Sequence, residues 1–288
     1  MDHADNLKKG EKGAWISIGA YILLSVVKLI VAYTGNSEAL RADGLNNSTD
    51  VIASIAVLVG LKISRKPPDE NHHYGHYRAE TVASMFAAFI MMMVGFQVII
   101  DTFGKIVTHE TSEPNMLTAW TALGGAIVMY FVYRYNKSLS EKVGSSSLYA
   151  AAQDNRSDAL VSIGAFIGIF GAQFGVFWLD PMAGFIVGII ICKTAWDIFK
   201  DSTHTLTDGF DEKQIDKIKE SIVKVQGVKK VVDVKGRIHG NYEFIDITIL
   251  VNPELNVREG HAITEKIETL LWKKHNITHA QIHIEPYE

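Results

Sequence analysis

Cysteine is almost absent from this chain: Cys192 is the single one in 288 residues. That excludes an internal disulfide framework and any cysteine-rich zinc finger. Its expected role is a small apolar residue within a helix. Basic charge is also scarce, with 28 Lys and Arg against 32 Asp and Glu, and a formal net charge of −4. No basic stripe appears, which argues against a nucleic-acid-binding chain. No Gly-x-x-x-x-Gly-Lys is found, so nucleotide is not an expected partner or energy source. No His-Glu-x-x-His is found either, which argues against a zinc hydrolase of that kind.

What is present is unevenly distributed. Hydrophobic residues make up 48% of the chain and charged residues 21%, with the apolar ones crowded into residues 14–198 and the charges concentrated after Lys200. Runs of that kind exclude disorder, and the length suggests about two domains. A membrane span needs about 20 mostly apolar residues. Ala14–Thr34, Thr81–Ile100, Met116–Tyr133 and Ala159–Leu179 meet that requirement, with Lys28 the only charge among them. Leu40–Ile63 and Pro181–Ile198 are weaker, which brings the expected number of helices to six. The first run is too long for a removed signal peptide and ends in no small-residue cleavage site.

Lysine and arginine in short loops orient such helices. They gather at Lys8, Lys9 and Lys12, at Lys62, Arg65, Lys66 and Arg78, and at Arg134, Lys137 and Lys142. The alternate loops offer little beyond Arg41 and Lys105. A multi-pass protein of the plasma membrane is expected, lipid-embedded, with both termini cytoplasmic. From about Asp208 the pattern changes. Glu212–Val225 and Val257–His275 read as amphipathic helices, while Val228–His239, Tyr242–Asn252 and Ala280–Ile284 read as strands. In the second strand Ile245, Ile247 and Ile249 alternate with Phe244, Asp246 and Thr248. The expected fold is therefore an all-α six-helix membrane domain over residues 1–207, followed by a two-layer α+β domain (α-β-β-α-β) over residues 208–288. So small a domain has a thin core, which a second copy would help to stabilise.

Charge at membrane depth is costly, and each such residue is a functional candidate. Asp43, Asn46, Asn47 and Asp50 fall on one face of the second helix, and Asp154 and Asp158 lie one turn apart at the start of the fifth. Helix capping or a place at the water boundary is the ordinary reading of one isolated Asp; two paired sets are harder to dismiss. The two sets also match. Laid over DNRSDALVSIGAFIG from Asp154, the stretch NNSTDVIASIAVLVG from Asn46 pairs Asn47 with Asn155, Asp50 with Asp158, Ser54 with Ser162, Ile55 with Ile163 and Gly60 with Gly168. Repeats in transporters commonly place a binding site at their interface, and the paired serines and glycines would let helices approach closely. Asn46, Asp50, Asp154 and Asp158 together offer hard oxygen donors without imidazole or thiolate. Such a set suits manganese, magnesium or calcium better than zinc, and its carboxylates can exchange a bound ion for protons. Gly124-Gly125 reads as a helix contact. Met91, Met92 and Met93 point to different helix faces and read as packing or lipid contact.

At this point the chain resembles the cation diffusion facilitator family, in particular its bacterial manganese-exporting members. The marker is Pro68–Glu80 (PDENHHYGHYRAE), together with NNSTD and DNRSD on the helices around it. The resemblance implies a homodimer with a ferredoxin-like cytoplasmic domain, exporting a divalent metal against protons by alternating access. It places the transport ligands at Asn46, Asp50, Asp154 and Asp158, with Asp43 an entrance or helix-start residue. Manganese is the implied substrate because a histidine of the zinc-carrying members is missing; iron, cobalt and zinc are the alternatives. No prosthetic group is implied. A loop metal site would fall on Asp69, His72 and His76, and a charge pair joining helices to soluble domain on Arg78 and Asp208. Further structural metal would fall on Asp233, His261, His283 and Glu285, although Thr248 and Val232 stand where ligands are expected. Solvated histidines are an equal reading there. A membrane hydrolase and a metal-sensing scaffold are the competing functions; no histidine within the expected spans could serve the former as a base.

Overall fold

The computed structural model describes residues 2–64, 66–108, 113–143, 146–239 and 242–288. Arg65 lies outside the described residues, and so do the side chains of Lys8, Lys9 and Lys12. Six long helices come first: α1 (Asp2–Gly35), α2 (Glu38–Ser64), α3 (Ala79–Thr108), α4 (Met116–Val143), α5 (Ser146–Ala172) and α6 (Leu179–Leu206). Then follow α7 (Glu212–Ile222), β1 (Lys230–His239), β2 (Tyr242–Val251), α8 (Val257–Leu270), a π-helical turn (Leu271–His275) and β3 (His279–Pro286). The order is the expected one. The chain forms two compact units, one of Met1–Ala56 with Phe86–Asp197 and one of Val57–Met85 with Ile198–Glu288.

The first unit is built inside out for water. Trp15, Ile22, Leu23, Phe86, Phe96, Ile100 and Phe131 are exposed, while small residues fill the interior. Ala32, Ala39, Ala119, Ala122 and Ala165 pack with Leu40 and Ile169, so helix backbones approach closely without bulky knobs. Trp15–Gly35 of α1, with α2, α3, α4 and α6, is long and apolar enough to cross a membrane by length and composition. Helix α5, expected as the fifth span, is not among them. It equals α2 in length at 27 residues. Its apolar run is cut short: α5 ends at Ala172 rather than continuing to Leu179 as expected, and Asp154, Arg156 and Asp158 occupy its first half. Cys192 lies against Gly95, where a Cβ would stand 2.6 Å from its sulfur, in keeping with a small residue at a helix contact.

Helix starts leave backbone N–H groups without partners, and in a membrane water cannot supply them. The start of α2 is served by Asp180 from the first turn of α6. That carboxylate accepts from Ser37 Oγ at 2.6 Å and from the Glu38 backbone N–H at 2.7 Å. Ser37 Oγ in turn accepts from the Leu40 N–H at 3.1 Å.

In the second unit a three-stranded sheet runs in the order β1-β2-β3, with β1 antiparallel and β3 parallel to β2. Ile245, Ile247 and Ile249 of β2 are buried with Val234, Ile218 and Ile222 of α7, and Ile263 and Ile267 of α8. The alternation in the strand therefore faces its apolar half toward the two helices, as expected. A bulge between Val231 and Asp233 leaves Val232 exposed. Helix α7 starts at Asp211, whose side chain accepts from the Lys213 N–H, and α8 at a reciprocal Asn256–Glu259 capping box.

Candidate functional site

Three of the four expected intramembrane ligands meet. Asn46 projects from α2 with its amide nitrogen 3.1 Å from Asp158 Oδ1 on α5 and 3.4 Å from Asp50 Oδ2 one turn along α2. Asn46 and Asp158 are buried. The NH2 group thus lies between two carboxylates, where electropositive character is wanted. Asp154 is apart: it is exposed, and no hydrogen bond ties it to the other three among the described residues. Nor do the oxygens of Asp50, Asp154 and Asp158 all fall within 4.8 Å of one another, as donors to one ion would.

Helix α1 supplies partners that the sequence reading missed. Ser17, Tyr21, Ser25 and Lys28 follow each other at steps of four, four and three, so they share one face. Tyr21 donates to Asp158 Oδ2 at 2.7 Å and accepts from Asn155 Nδ2 at 2.8 Å. Asn155 Oδ1 accepts from Ser17 at 3.1 Å and from Asn136 of α4 at 3.0 Å. Further along, the Lys28 ammonium lies 2.9 Å from Asp43 Oδ2 and donates to Asn47 Oδ1 at 2.8 Å and Ser162 Oγ at 2.9 Å. Asp43, expected at an entrance or helix start, lies in the second turn of α2 with no exposure and a buried ionic partner. The spacing of polar residues in α1 was the available signal; one lysine and scattered hydroxyls in an apolar run do not announce their partners.

Nearer the Glu38 end of α2, a second polar group ties helices together. Lys105 of α3 reaches Glu38 at 2.6 Å, and Arg41 pairs with both Glu38 and Asp101.

The loop between α2 and α3 gathers Asp69, His72 and His76, one donor atom from each lying within 4.8 Å of the others. Among the described residues this is the one such group of three or more. Asp69 accepts from the backbone N–H groups of Asn71 and His72 in an Asx turn, which fixes its carboxylate toward the rings. Its oxygens lie 3.0 Å from His72 Nδ1 and 3.4 Å from His76 Nε2. The His72 hydrogen bond holds the Asp69 carboxyl below its usual range. His76 Nδ1 is buried with no partner. Two imidazoles and a carboxylate converging this way fit a bound metal ion.

Arg78 pairs with Asp208, and its guanidinium also lies 2.8 Å from His239 Nε2 at the end of β1. Burial, then the charges of Arg78 and Arg237, hold His239 below the ordinary histidine value. Tyr74 and Tyr77 of the same loop lie against His239, Phe244 and Tyr242. The sequence reading named Arg78 and Asp208 and missed these aromatic contacts.

The soluble-domain set is only partly assembled. Asp233 is opposite Thr248, and Thr248 opposite His283, so these three form one row across the sheet. Asp233, however, is engaged by Lys235 at 2.9 Å, which lowers its carboxyl from the usual range. His261 lies near Glu265 at 3.6 Å, and His283 near Glu285 at 3.5 Å, all in exposed positions. Asp233, His261, His283 and Glu285 are not brought together as ligands and, so arranged, do not fit a metal ion.

Comparison with known proteins accords with this architecture. Residues 14–207 match the cation efflux transmembrane domain, and residues 210–287 the cytoplasmic domain of cation efflux proteins. The manganese efflux system protein MneS of Bacillus subtilis (strain 168) is 54% identical over 288 residues, covering 100% of this chain and 99% of that protein. MneP of the same organism, also a manganese efflux system protein, is 30% identical over 285 residues, 96% of each chain. A solved MamM CTD in a copper form is 28% identical, covering 27% of this chain and 76% of that one at a TM-score of 0.26. The chain belongs to the cation efflux, or cation diffusion facilitator, family. It is a membrane transporter of metal cations, and the hydrolase reading ends there.

Proposed function

We propose that the protein exports Mn2+ from the cytoplasm across the plasma membrane, as a homodimer, in exchange for protons by alternating access. The observation that carries this reading is the Asn46 amide held between Asp50 and Asp158. A half-turn of that amide replaces its NH2 by Oδ1, and the three side chains then present only oxygen to an ion in their midst. Such a set favours a hard divalent cation, in keeping with the manganese efflux relatives. Asp154 is the fourth ligand, one turn nearer the basic α4–α5 connection and open to the solvent from which the ion arrives. Both termini are cytoplasmic in this arrangement. Protons and metal compete for the same carboxylates, so acidification on the far side expels the ion without a separate relay. Asp69, His72 and His76 hold a second, loop-bound metal, and Arg78 with Asp208 ties the loop to the soluble domain.

Transport in proteoliposomes across a panel of manganese, iron, cobalt, cadmium and zinc tests the reading. Uphill manganese movement is expected to cease when the proton gradient is dissipated; unchanged uphill movement would remove the coupling. Asp154→His is expected to raise zinc flux relative to manganese, since imidazole favours the softer ion. A selectivity unaffected by that change would remove the ligand-hardness argument.

A further inference from the structure

A buried cation sits beside the proposed transport site, on the side away from the cytoplasm. Lys28 has no exposure, and neither has Asp43. Asp43 precedes Asn46 by three residues on α2, and Ser162 follows Asp158 by four on α5, so the ammonium lies about one helical turn outward of the ligands on both helices. The ammonium donates hydrogen bonds to Asn47 and Ser162 and lies 2.9 Å from Asp43 Oδ2 as an ion pair. Ser162 also donates to Asp43 Oδ1 at 3.1 Å. Room for this side chain comes from α4. A Cβ on Gly125 would stand 2.6 Å from Lys28 Cε and 3.2 Å from Nζ, so Gly125 serves the lysine rather than a bare helix contact. Three helices besides α1 therefore contribute to one slot, and a neutral side chain of the same length would need none of its ionic partners.

We propose that Lys28 is a resident counter-cation that sets the affinity of the transport site. It neutralises Asp43, which otherwise stands one turn from Asn46 as an additional carboxylate. It also places fixed positive charge next to a site that holds a doubly charged ion. Binding is thereby weaker than the carboxylates alone would make it, and release toward the outside is correspondingly faster. The inference rests on the reading of Asn46, Asp50 and Asp158 as metal ligands, and Lys28 acts through charge, as a positioning and affinity-setting residue that does not touch the ion.

The test is Mn2+ binding by titration calorimetry in nanodiscs, with proteoliposome turnover, for the native protein, Lys28→Gln, Asp43→Asn, the double variant and Asp50→Ala. Charge predicts effects of opposite sign. Lys28→Gln is expected to tighten Mn2+ roughly tenfold and to slow turnover, because a unit charge near a divalent ion is removed. Asp43→Asn, which strands the ammonium, is expected to weaken Mn2+ by a similar roughly tenfold factor. The double variant is expected to return to within about threefold of native. A purely structural role would move every variant in the same direction, and that outcome overturns the proposal. If Lys28→Gln does not fold, the order still decides: Asp43→Asn must bind more weakly than the double variant, and equal or reversed affinities overturn the proposal. Asp50→Ala separates the two readings. Mn2+ binding retained by Asp50→Ala removes the site itself, whereas binding lost there, with no sign reversal at Lys28 and Asp43, removes this inference alone.

Discussion

Helices α2 and α5 carry the same sequence pattern, yet the structure treats its two copies differently. In α2, Asn46 is buried and its amide lies between two carboxylates; in α5, the corresponding Asp154 is exposed. Ser54 turns back onto its own helix, donating to the Asp50 carbonyl at 2.8 Å, while its counterpart Ser162 reaches Lys28 and Asp43. What the copies share is how α1 holds them. The inner asparagine of each, Asn47 or Asn155, is bound by a polar side chain of that helix. They also share a close approach to the next helix. A Cβ on Gly60 would stand 2.7 Å from Glu80 Cα, and one on Gly168 2.4 Å from Ala183 Cβ. The duplicated glycines thus each admit the following helix, α3 or α6, rather than bringing α2 and α5 together. The repeated motif keeps its packing, its anchoring and the Asp50/Asp158 pair, and diverges at Asn46 and Asp154.

Substitutions at matched positions should widen or erase that contrast. The largest effect is expected from Asp50→Ala and Asp158→Ala, each lowering manganese flux in proteoliposomes by at least about 100-fold, since an ion's charged partner is lost from a half-buried or buried setting. Asp154→Ala should cost only about tenfold, because its carboxylate is exposed and water can substitute for part of it. Equal losses at all three positions would break the distinction between buried and exposed halves of the site. The matched glycines should behave alike instead. Gly60→Ala and Gly168→Ala are each expected to destabilise by about 1–3 kcal/mol through overpacking, read as a lowered melting temperature in detergent. A neutral result at either would show that its neighbouring helix moves aside freely.

Much of the fold is legible in the sequence. The segregation of apolar and charged residues announces the six long helices, and the period-two alternation of Ile245, Ile247 and Ile249 correctly assigns the buried face of β2. Those are local signals, carried by a few consecutive residues. Asp69, His72 and His76 are legible through the family resemblance of the Pro68–Glu80 stretch, and their spacing of three and four lets one turn collect them. The roles of Tyr21 and Lys28 were not visible. Tyr21 reaches Asp158 and Lys28 reaches Ser162 across more than 130 residues, and no period in α1 encodes which helix will lie opposite. In isolation Lys28 reads as a cost to a membrane span; only the buried Asp43 beside it changes that reading. The same blindness applied to Asp180, whose capping of α2 joins residues from opposite ends of the helical domain.

The smallest expected effect compares the buried intramembrane contacts with the polar junction at Arg78. His239 accepts from Arg78 through Nε2 in its neutral form, and burial with the nearby arginines holds its pKa below the ordinary value. An unfolded histidine protonates near pH 6.5, and the native one only at lower pH. The native state therefore binds fewer protons in that interval, and stability is complete above about pH 6.5 and lost as pH falls toward the native pKa. Amide hydrogen exchange in β1 and β2 of the full chain should accordingly quicken between about pH 7 and pH 5.5, after correction for the intrinsic rate. His239→Gln retains an acceptor but cannot take up the proton, so its corrected exchange should be flatter across that range. Identical profiles for the two proteins would mean that the Arg78–His239 contact carries no part of the pH response, and that Arg78 holds the loop through Asp208 and the tyrosine contacts alone.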